Sequence, residues 1–483
     1  MRIFNCDHCG HLVFFDSVQC LHCGNKLAFL PDERIMAALV PVAAGADAAP
    51  VAPVAPPAAL ESAVSAAPVA AAELDAPSPI PPEPPVADVS PPALWQRAGP
   101  QGATSANESG KHYRMCRNHT EYNACNFAVP ADEPDVLCVS CRQTRILPDL
   151  SEVANMGRWM QIEAAKRRLF YTLSRMGLEP APGRSGPVFE FLAELPGGPP
   201  VLTGHNEGTI TLNVAEADDD ERARRRIALR EPYRTLIGHL RHESGHFYWD
   251  QLIRDGGRLE EFRAVFGDER QDYAAALEAH YAKGNDTGDW VEHHVSAYAA
   301  AHPWEDWAET WAHYLHMVDL LETAASYGTQ VTVPGIYGPQ RSAAVDPFAQ
   351  PGPDFDAMLQ NLVPLTLLLN SLTRSLGQSD AYPFALIGDA LAKLRFVHDV
   401  VRDAISRPAA SESLAPVLPQ APSAAAIASA APVASLAPPP SSPVPPSVPA
   451  ALSPPTAAPV SAPAPMDVGL SKKNSKKTLL GKR

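Results

Sequence analysis

At 483 residues, 51 of them proline, the chain is long enough for two or three domains, but so many prolines cannot all lie in a packed core. A formal net charge of −15 argues against a surface that coats nucleic acid or an anionic membrane. Eight cysteines in paired spacing point to metal binding in a reducing compartment rather than to disulfides.

Residues 1–32 carry Cys6-x2-Cys9-x10-Cys20-x2-Cys23. Each Cys-x2-Cys knuckle presents two thiolates to one ion, and two knuckles close a tetrahedral site. Gly10 and Gly24 follow the knuckles and allow the tight turns. A structural zinc on Cys6, Cys9, Cys20 and Cys23, in a zinc-ribbon module, is therefore expected. Asp7 and Asp16 stand near Lys26, so the ribbon is not basic; a structural role or a protein partner is expected, and no nucleic acid. Met1 to Cys6 contains no apolar signal run. The longest apolar stretch, Leu362 to Leu372, is interrupted by Pro364 and Asn370 and is shorter than the about 20 residues a membrane span needs. A soluble, cytoplasmic protein without membrane association is expected.

Residues 33–110 read as a disordered Ala/Pro linker, with runs such as Pro50-Val51-Ala52-Pro53 that hold too few large apolar side chains to offset ordering entropy. Residues 111–150 hold Cys116-x8-Cys125-x12-Cys138-x2-Cys141, expected to bind a second structural zinc. His119 also has knuckle spacing to Cys116, but four thiolates are favoured because an unused cysteine beside zinc would be reactive. A redox role for Cys138-x2-Cys141 would suit a βαβ setting, and none surrounds it.

Residues 151–405 have the α+β pattern of a small sheet followed by many helices. Val153 to Met176 has helical apolar spacing. Phe189 to Leu192 and Thr209 to Val214 read as strands, and the pattern beyond Asp218 is helical nearly throughout. Residues 406–483 return to Ala/Pro/Ser composition and end in a basic run, Lys472 to Arg483, read as a disordered tail with a solvated charge cluster.

The chemistry concentrates in His242-Glu243-Ser244-Gly245-His246, on a helix predicted over Glu231 to Ile253 with Pro232 in its first turn. Histidines four apart share a helix face at about 3.6 residues per turn and can hold one zinc. Glu243 lies beside the first ligand, placed to take a proton from a zinc-bound water. Gly245 costs about 1 kcal/mol inside a helix, so its missing side chain suggests a close approach by another element beneath the metal.

A catalytic zinc needs a third protein ligand and an open position. A third histidine six residues on is ruled out by Leu252, and His302 to Tyr314 supplies glutamates instead. Pro303 opens a helix there, with Glu305 and Asp306 in the first turn and Trp304, Trp307, Ala308 and Trp311 on its buried side. Glu309, flanked by that stripe, is the favoured ligand. Glu305 is the alternative, or else a first-turn charge beside an Asp306 that orients a metal-bound histidine. His239 reads as a partly buried structural histidine. His293, His294, Tyr298, His313 and Tyr314 are candidates to stabilise an oxyanion.

These features together resemble the bacterial family of zinc-binding metallopeptidases that carry an N-terminal zinc ribbon, over about 1–32 and 111–405. The likeness rests on Cys6 to Cys23, Cys125-Asn126-Phe127, Val129-Pro130-Ala131-Asp132, Leu137 to Arg142, Arg241 to Trp249, and His302 to Tyr314. It continues through Leu368 to Leu372, Tyr382-Pro383-Phe384 and Lys393 to His398. The resemblance implies a zincin-like, mainly helical catalytic domain in which His242, His246 and Glu309 hold one catalytic zinc and Glu243 is the base. With the two cysteine sites, this makes three zincs. It says little about substrate. The Ala/Pro insertion and tail depart from the family and weigh against tight packing between ribbon and catalytic domain. The expected function is peptide hydrolysis, on a peptide or protein substrate, by gluzincin-type chemistry. The competing readings are hydrolysis of a non-peptide amide and a non-catalytic zinc-binding adaptor.

Overall fold

A computed structural model describes residues 1–42, 93–100, 110–180, 185–228, 233–283, 288–335 and 338–406. The chain divides into two units, Met1–Ser435 and Leu436–Arg483, and the second lies wholly outside the described residues. So does the predicted tail from 407 onward.

The ribbon begins with a short antiparallel pair, β1 (Phe4–Asn5) and β2 (Leu12–Val13). A five-stranded antiparallel sheet follows in sequence order: β3 (Lys26–Leu30), β4 (Ile35–Pro41), β5 (Trp95–Arg97), β6 (Tyr113–Met115) and, after helix α1 (Arg117–Tyr122), β7 (Ala128–Pro130). This corrects two expectations. The stretch 33–110 was read as linker throughout, yet β4 and β5 lie inside it; only 43–92 and 101–109 fall outside the described residues. The alanine-rich composition hid β4, which β3 and β5 pair on both edges and whose faces are both buried, Met36 and Ala38 in one core cluster and Ala37 and Leu39 in another. The two cysteine segments were read as separate modules, yet Phe4, Val13, Phe15, Leu27, Phe29, Phe127 and Val129 share one core with cysteines of both clusters.

The C-terminal portion of the described chain starts with strand β8 (Thr144–Ile146) and helix α2 (Val153–Arg175). It continues with β9 (Val188–Leu192), β10 (Gly204–Asn206) and β11 (Thr209–Asn213). Their sheet runs β10-β11-β9-β8, antiparallel only between β10 and β11. Alternation in Val188-Phe-Glu-Phe-Leu192 turns Phe189 and Phe191 inward beside Ile210 and Leu212, all fully buried. Each such side chain stabilises by about 1.5–3 kcal/mol.

The helices α3 (Asp219–Ala228), α4 (Leu236–Trp249), α5 (Leu259–Phe266), α6 (Tyr273–Lys283) and α7 (Pro303–Ser326) follow. A hairpin, β12 (Gln330–Val333) with β13 (Gln340–Ala343), interrupts the region read as helical, before α8 (Phe355–Ser375) and α9 (Gly388–Ser406). Pro364 lies within α8. No helix among the described residues is long and apolar enough to cross a membrane.

The ribbon and the helical portion that follows it pack tightly, against expectation. Tyr171 of α2 sits in the ribbon core with its ring 5.4 Å from Phe15 and 6.2 Å from Phe4. Its hydroxyl donates to Glu322 of α7 at 2.7 Å, and the backbone N–H groups of Arg2 and Ile3 donate to Glu322 and Ser326. The Ala/Pro insertion falls between β4 and β5 in the chain, and those two strands pair across it.

Candidate metal centre

Helix α4 begins at Leu236, later than predicted, because Thr235 is an extended residue whose hydroxyl caps the Gly238 N–H at 3.0 Å. It ends in a π-helical turn, Asp250–Arg254. Helix α7 starts at Pro303, with the His302 ring capping Trp304 N–H at 3.1 Å. The two helices cross at Gly245. A Cβ there would stand 2.9 Å from the Ala308 Cα and 3.1 Å from Trp311 Cδ1. Indole donors lock the crossing: Trp307 bonds the Gly245 carbonyl at 2.8 Å and Trp311 the Ser244 hydroxyl at 3.1 Å.

This crossing brings His242, His246 and Glu305 together. Glu305 Oε2 lies 3.1 Å from His242 Nε2 and 3.6 Å from His246 Nε2. That oxygen is buried and accepts no hydrogen bond among the described residues. Tetrahedral ligands about 2.0–2.2 Å from zinc stand roughly 3.3 Å from one another, so the three atoms suit one metal ion. Burial would raise the Glu305 pKa, but His246 and His242 more than offset it and hold the carboxyl well below the usual range.

Glu309, the favoured ligand from sequence, is not in this group. Its Oε1 meets His242 on the opposite nitrogen, Nδ1, at 2.7 Å, and its Oε2 accepts from Ser296 at 2.6 Å. The burial argument had the two glutamates reversed: the Glu305 side chain is 2% exposed and that of Glu309 21%. Glu309 lies one turn further along α7, past the point where that helix faces both histidines. Asp306 does not orient a histidine of the group either; it pairs with Lys393 at 2.6 Å and His294 at 3.0 Å.

Glu243 is buried, and its Oε1 lies 3.4 Å from His239 Nε2. Behind His239 stands Glu216, itself clamped by Arg225 at 2.7 Å and Arg234 at 3.0 Å. Burial would raise the Glu243 pKa, but His239, His242 and His246 bring it below the ordinary value.

Of the five oxyanion candidates, four are engaged elsewhere: His293 with Asp389, His294 with Asp306, His313 with Tyr382 and Tyr314 with His398. Tyr298 alone borders the centre, its ring 5.9 Å from His242. Sequence reasoning missed Tyr273, whose hydroxyl donates to Glu305 Oε1 at 2.6 Å, and Ser296. It also missed His205 on β10, whose ring lies 6.0 Å from that of His246. None of these has a fixed spacing to the histidine pair; only the fold brings them in.

All eight cysteines are free thiols, gathered as Cys6, Cys9, Cys20, Cys23 and as Cys116, Cys125, Cys138, Cys141. Sulfur separations of 3.8 Å for Cys6–Cys23, 3.6 Å for Cys9–Cys20 and 3.8 Å for Cys125–Cys138 suit Zn–S bonds of about 2.3 Å. Backbone N–H groups of Cys138, Phe127 and Cys141 point at Cys116, Cys125 and Cys138 sulfurs, each at 3.4 Å. Burial pushes the Cys138 thiol well above its ordinary value, so four thiolates here require a cation. His119 is not among them; its Nδ1 meets the Cys125 carbonyl at 2.7 Å.

Comparison with known proteins follows this division of the chain. A family described as "Putative zinc-binding metallo-peptidase" matches residues 155–400. A zinc-ribbon domain matches residues 3–50 and 92–152. An uncharacterised protein of Mycobacterium bovis is 40% identical over 294 residues, covering 60% of this chain and 82% of the relative. Two uncharacterised proteins from Mycobacterium tuberculosis strains match to the same extent. No solved structure matches the chain.

Proposed function

From the premise that this chain belongs to the family of putative zinc-binding metallo-peptidases, we propose that it is a zinc-dependent peptidase of gluzincin type with a zincin-like catalytic domain. In this reading His242, His246 and Glu305 hold the metal and Glu243 is the general base. The observation that carries it is the convergence of two imidazole nitrogens and one otherwise unbonded, buried carboxylate oxygen on a single point.

Zinc bound there supplies a Lewis acid that acidifies water and polarises a carbonyl. The protein supplies the rest. Glu309 holds His242 by Nδ1 and so fixes Nε2 toward the metal, and Tyr273 holds Glu305 by its other oxygen. Glu243 accepts a proton from the attacking water and gives it to the leaving amine as the C–N bond breaks. The Trp304 ring, 3.9 Å from that of His246, shields this side from solvent. Cytoplasmic location, a peptide or protein substrate, and structural zinc in both cysteine clusters complete the proposal.

Zinc content and cleavage of a mixed peptide library, measured on the wild type, Glu243→Gln, Glu305→Ala and Glu309→Ala, test it. We expect three zincs in the wild type and two in Glu305→Ala. Glu243→Gln should keep all three and lose cleavage, while Glu309→Ala should keep the third zinc at reduced affinity. Two zincs in every variant, with no cleavage, would overturn the peptidase reading; loss of the third zinc only in Glu309→Ala would return the ligand role to that residue.

A further inference from the structure

The hairpin β10–β11 packs on α4 and brings the His205 imidazole beside His246. His205 opposes Ile210 across the hairpin, and the chain turns through Glu207 and Gly208, both at positive φ (45° and 82°). That turn aims the Gly208 N–H at His205 Nε2, 3.0 Å away. A backbone N–H only donates, so Nε2 is the bare nitrogen and the proton of the neutral ring resides on Nδ1. Nδ1 is sealed from solvent and has no hydrogen-bond partner among the described residues. A buried donor left unpaired costs about 1–3 kcal/mol, which an acceptor brought against it by a bound substrate would relieve.

Its surroundings identify that acceptor. The His205 ring lies nearly parallel to that of His246, at 23°, and 6.1 Å from Trp304, which packs on the same histidine. Glu309 and Ser296, by contrast, are already paired, with His242 and with each other. A carboxylate acceptor would meet the neighbouring Glu243 charge, whereas a peptide carbonyl is neutral when it arrives.

We propose that His205 is a substrate-contacting catalytic residue whose Nδ1–H donates to the carbonyl oxygen of the scissile peptide bond; the proposal rests on the peptidase reading above. As water oxygen bonds to the carbonyl carbon, the π pair moves onto the carbonyl oxygen and one proton of the water passes to Glu243. The developing oxyanion gains the His205 hydrogen bond without taking its proton. When the C–N bond breaks, the pair returns to the carbonyl and the amine takes the proton from Glu243. The hydrogen bond strengthens only as charge develops, so it acts on kcat more than on KM.

The test compares wild type, His205→Phe, which keeps a ring against His246 but no donor, and His205→Asn, whose amide N–H overlays Nδ1. Zinc content, thermal midpoint, kcat, KM and affinity for a phosphinic dialanyl peptide are read together. His205→Phe should keep three zincs, lower kcat by about 10²-fold with little change in KM, and weaken the phosphinic peptide to a similar degree; His205→Asn should recover part of both. Nitrogen-15 spectra of histidine-labelled wild type should show His205 protonated on Nδ1, with that proton moving downfield when the phosphinic peptide is added. Wild-type kcat and phosphinic affinity in His205→Phe, an Nε2-protonated ring, or loss of a zinc in His205→Phe would each overturn the proposal. If the wild type cleaves and only the variant comparison fails, His205 alone is misassigned. If the zinc-loaded wild type neither cleaves nor binds the phosphinic peptide, the peptidase reading falls and takes this proposal with it.

Discussion

The second cysteine cluster and the His242–His246–Glu305 group are equally buried, and they are built to opposite ends. The cysteine cluster has four like donors and backbone N–H groups trained on its sulfurs. Two groups from α2 lie close: Arg167, 6% exposed, and Glu163, 3.8 Å from the Cys141 sulfur and paired in turn with the buried Lys166 at 2.9 Å. Burial would lower the Arg167 pKa, but the charges of Cys125, Glu163, Cys141 and Cys138 more than offset it. The histidine group has two imidazoles and one carboxylate, and other polar side chains border it: Glu243, His205 and Tyr298. A closed site of one ligand type fixes a fold, and an open site of mixed ligands leaves a position for chemistry. The cysteine cluster lies against α2 of the catalytic portion, so the closed site serves as a joint between the two modules.

The joint sets the largest expected effects. Cys138→Ser removes a donor from a dry site and should destabilise the whole described unit by about 5 kcal/mol or more, with activity lost. Cys23→Ser, at the half-exposed first cluster, should leave the catalytic portion folded. Equal losses of thermal midpoint in the two variants would erase the distinction between them. Arg167→Met is the next step down. It leaves the cluster's negative charge buried without its balancing cation, at about 3 kcal/mol, and zinc should leave that cluster faster in the presence of a chromogenic chelator. An unchanged release rate would show that the guanidinium plays no part in holding the metal.

At the open site the comparable support is Glu309. Glu309→Gln keeps a hydrogen bond to His242 Nδ1 but withdraws the charge, and should weaken the third zinc by about 10–100-fold while leaving the two cysteine-bound zincs unchanged. Competitive titration with a calibrated chelator reads this directly. An unaltered affinity would mean that the 2.7 Å contact does not act on the metal.

These two regions were unequally legible in the sequence. The histidine pair and Glu243 follow from the helix period alone, and the cysteine donors follow from knuckle spacing. Which glutamate joins the histidines does not follow. Glu305 and Glu309 are one turn apart on the same face of α7, and the choice depends on how far that helix slides along α4 before Ala308 meets Gly245. Propensity carries no information about that axial offset. The joint was hidden for a different reason. Residues 43–92 separate the two halves of one sheet, and the alanines of β4 look like linker until β3 and β5 are placed beside them. Tyr171 gave no signal at all, because an aromatic residue on a helix stripe reads as ordinary core.

The Gly245–Ala308 contact can itself be tested. Gly245→Ala adds a methyl group 2.9 Å from backbone, where neither helix has a flexible side chain to withdraw. Overpacking of this kind costs about 1–3 kcal/mol. The shift falls on the offset that seats Glu305, so third-zinc affinity should drop with stability while both cysteine clusters stay loaded. A variant that loses stability but keeps the third zinc at wild-type affinity would show that the crossing is a packing feature and does not set the ligand geometry.

The smallest effect expected lies behind Glu243 and depends on pH. Burial would raise the Glu216 pKa, but His239 and Arg234 reverse it and hold the carboxyl well below the ordinary value of 4.5. A group whose pKa is depressed on folding stabilises fully above its unfolded pKa and loses that contribution as pH falls through the folded one. Glu216→Gln should therefore cost about 1–2 kcal/mol at pH 7. The gap to wild type in urea midpoint should begin to close below about pH 4.5 and keep narrowing with further acid. A gap that stays constant down to pH 3 would mean that the carboxylate charge contributes nothing, and that Glu216 supports His239 by packing alone. In that case the polar chain from Arg225 and Arg234 to Glu243 would be neutral scaffolding, as dry in its logic as the cysteine joint, and the contrast between the two regions would shrink to the metal ligands themselves.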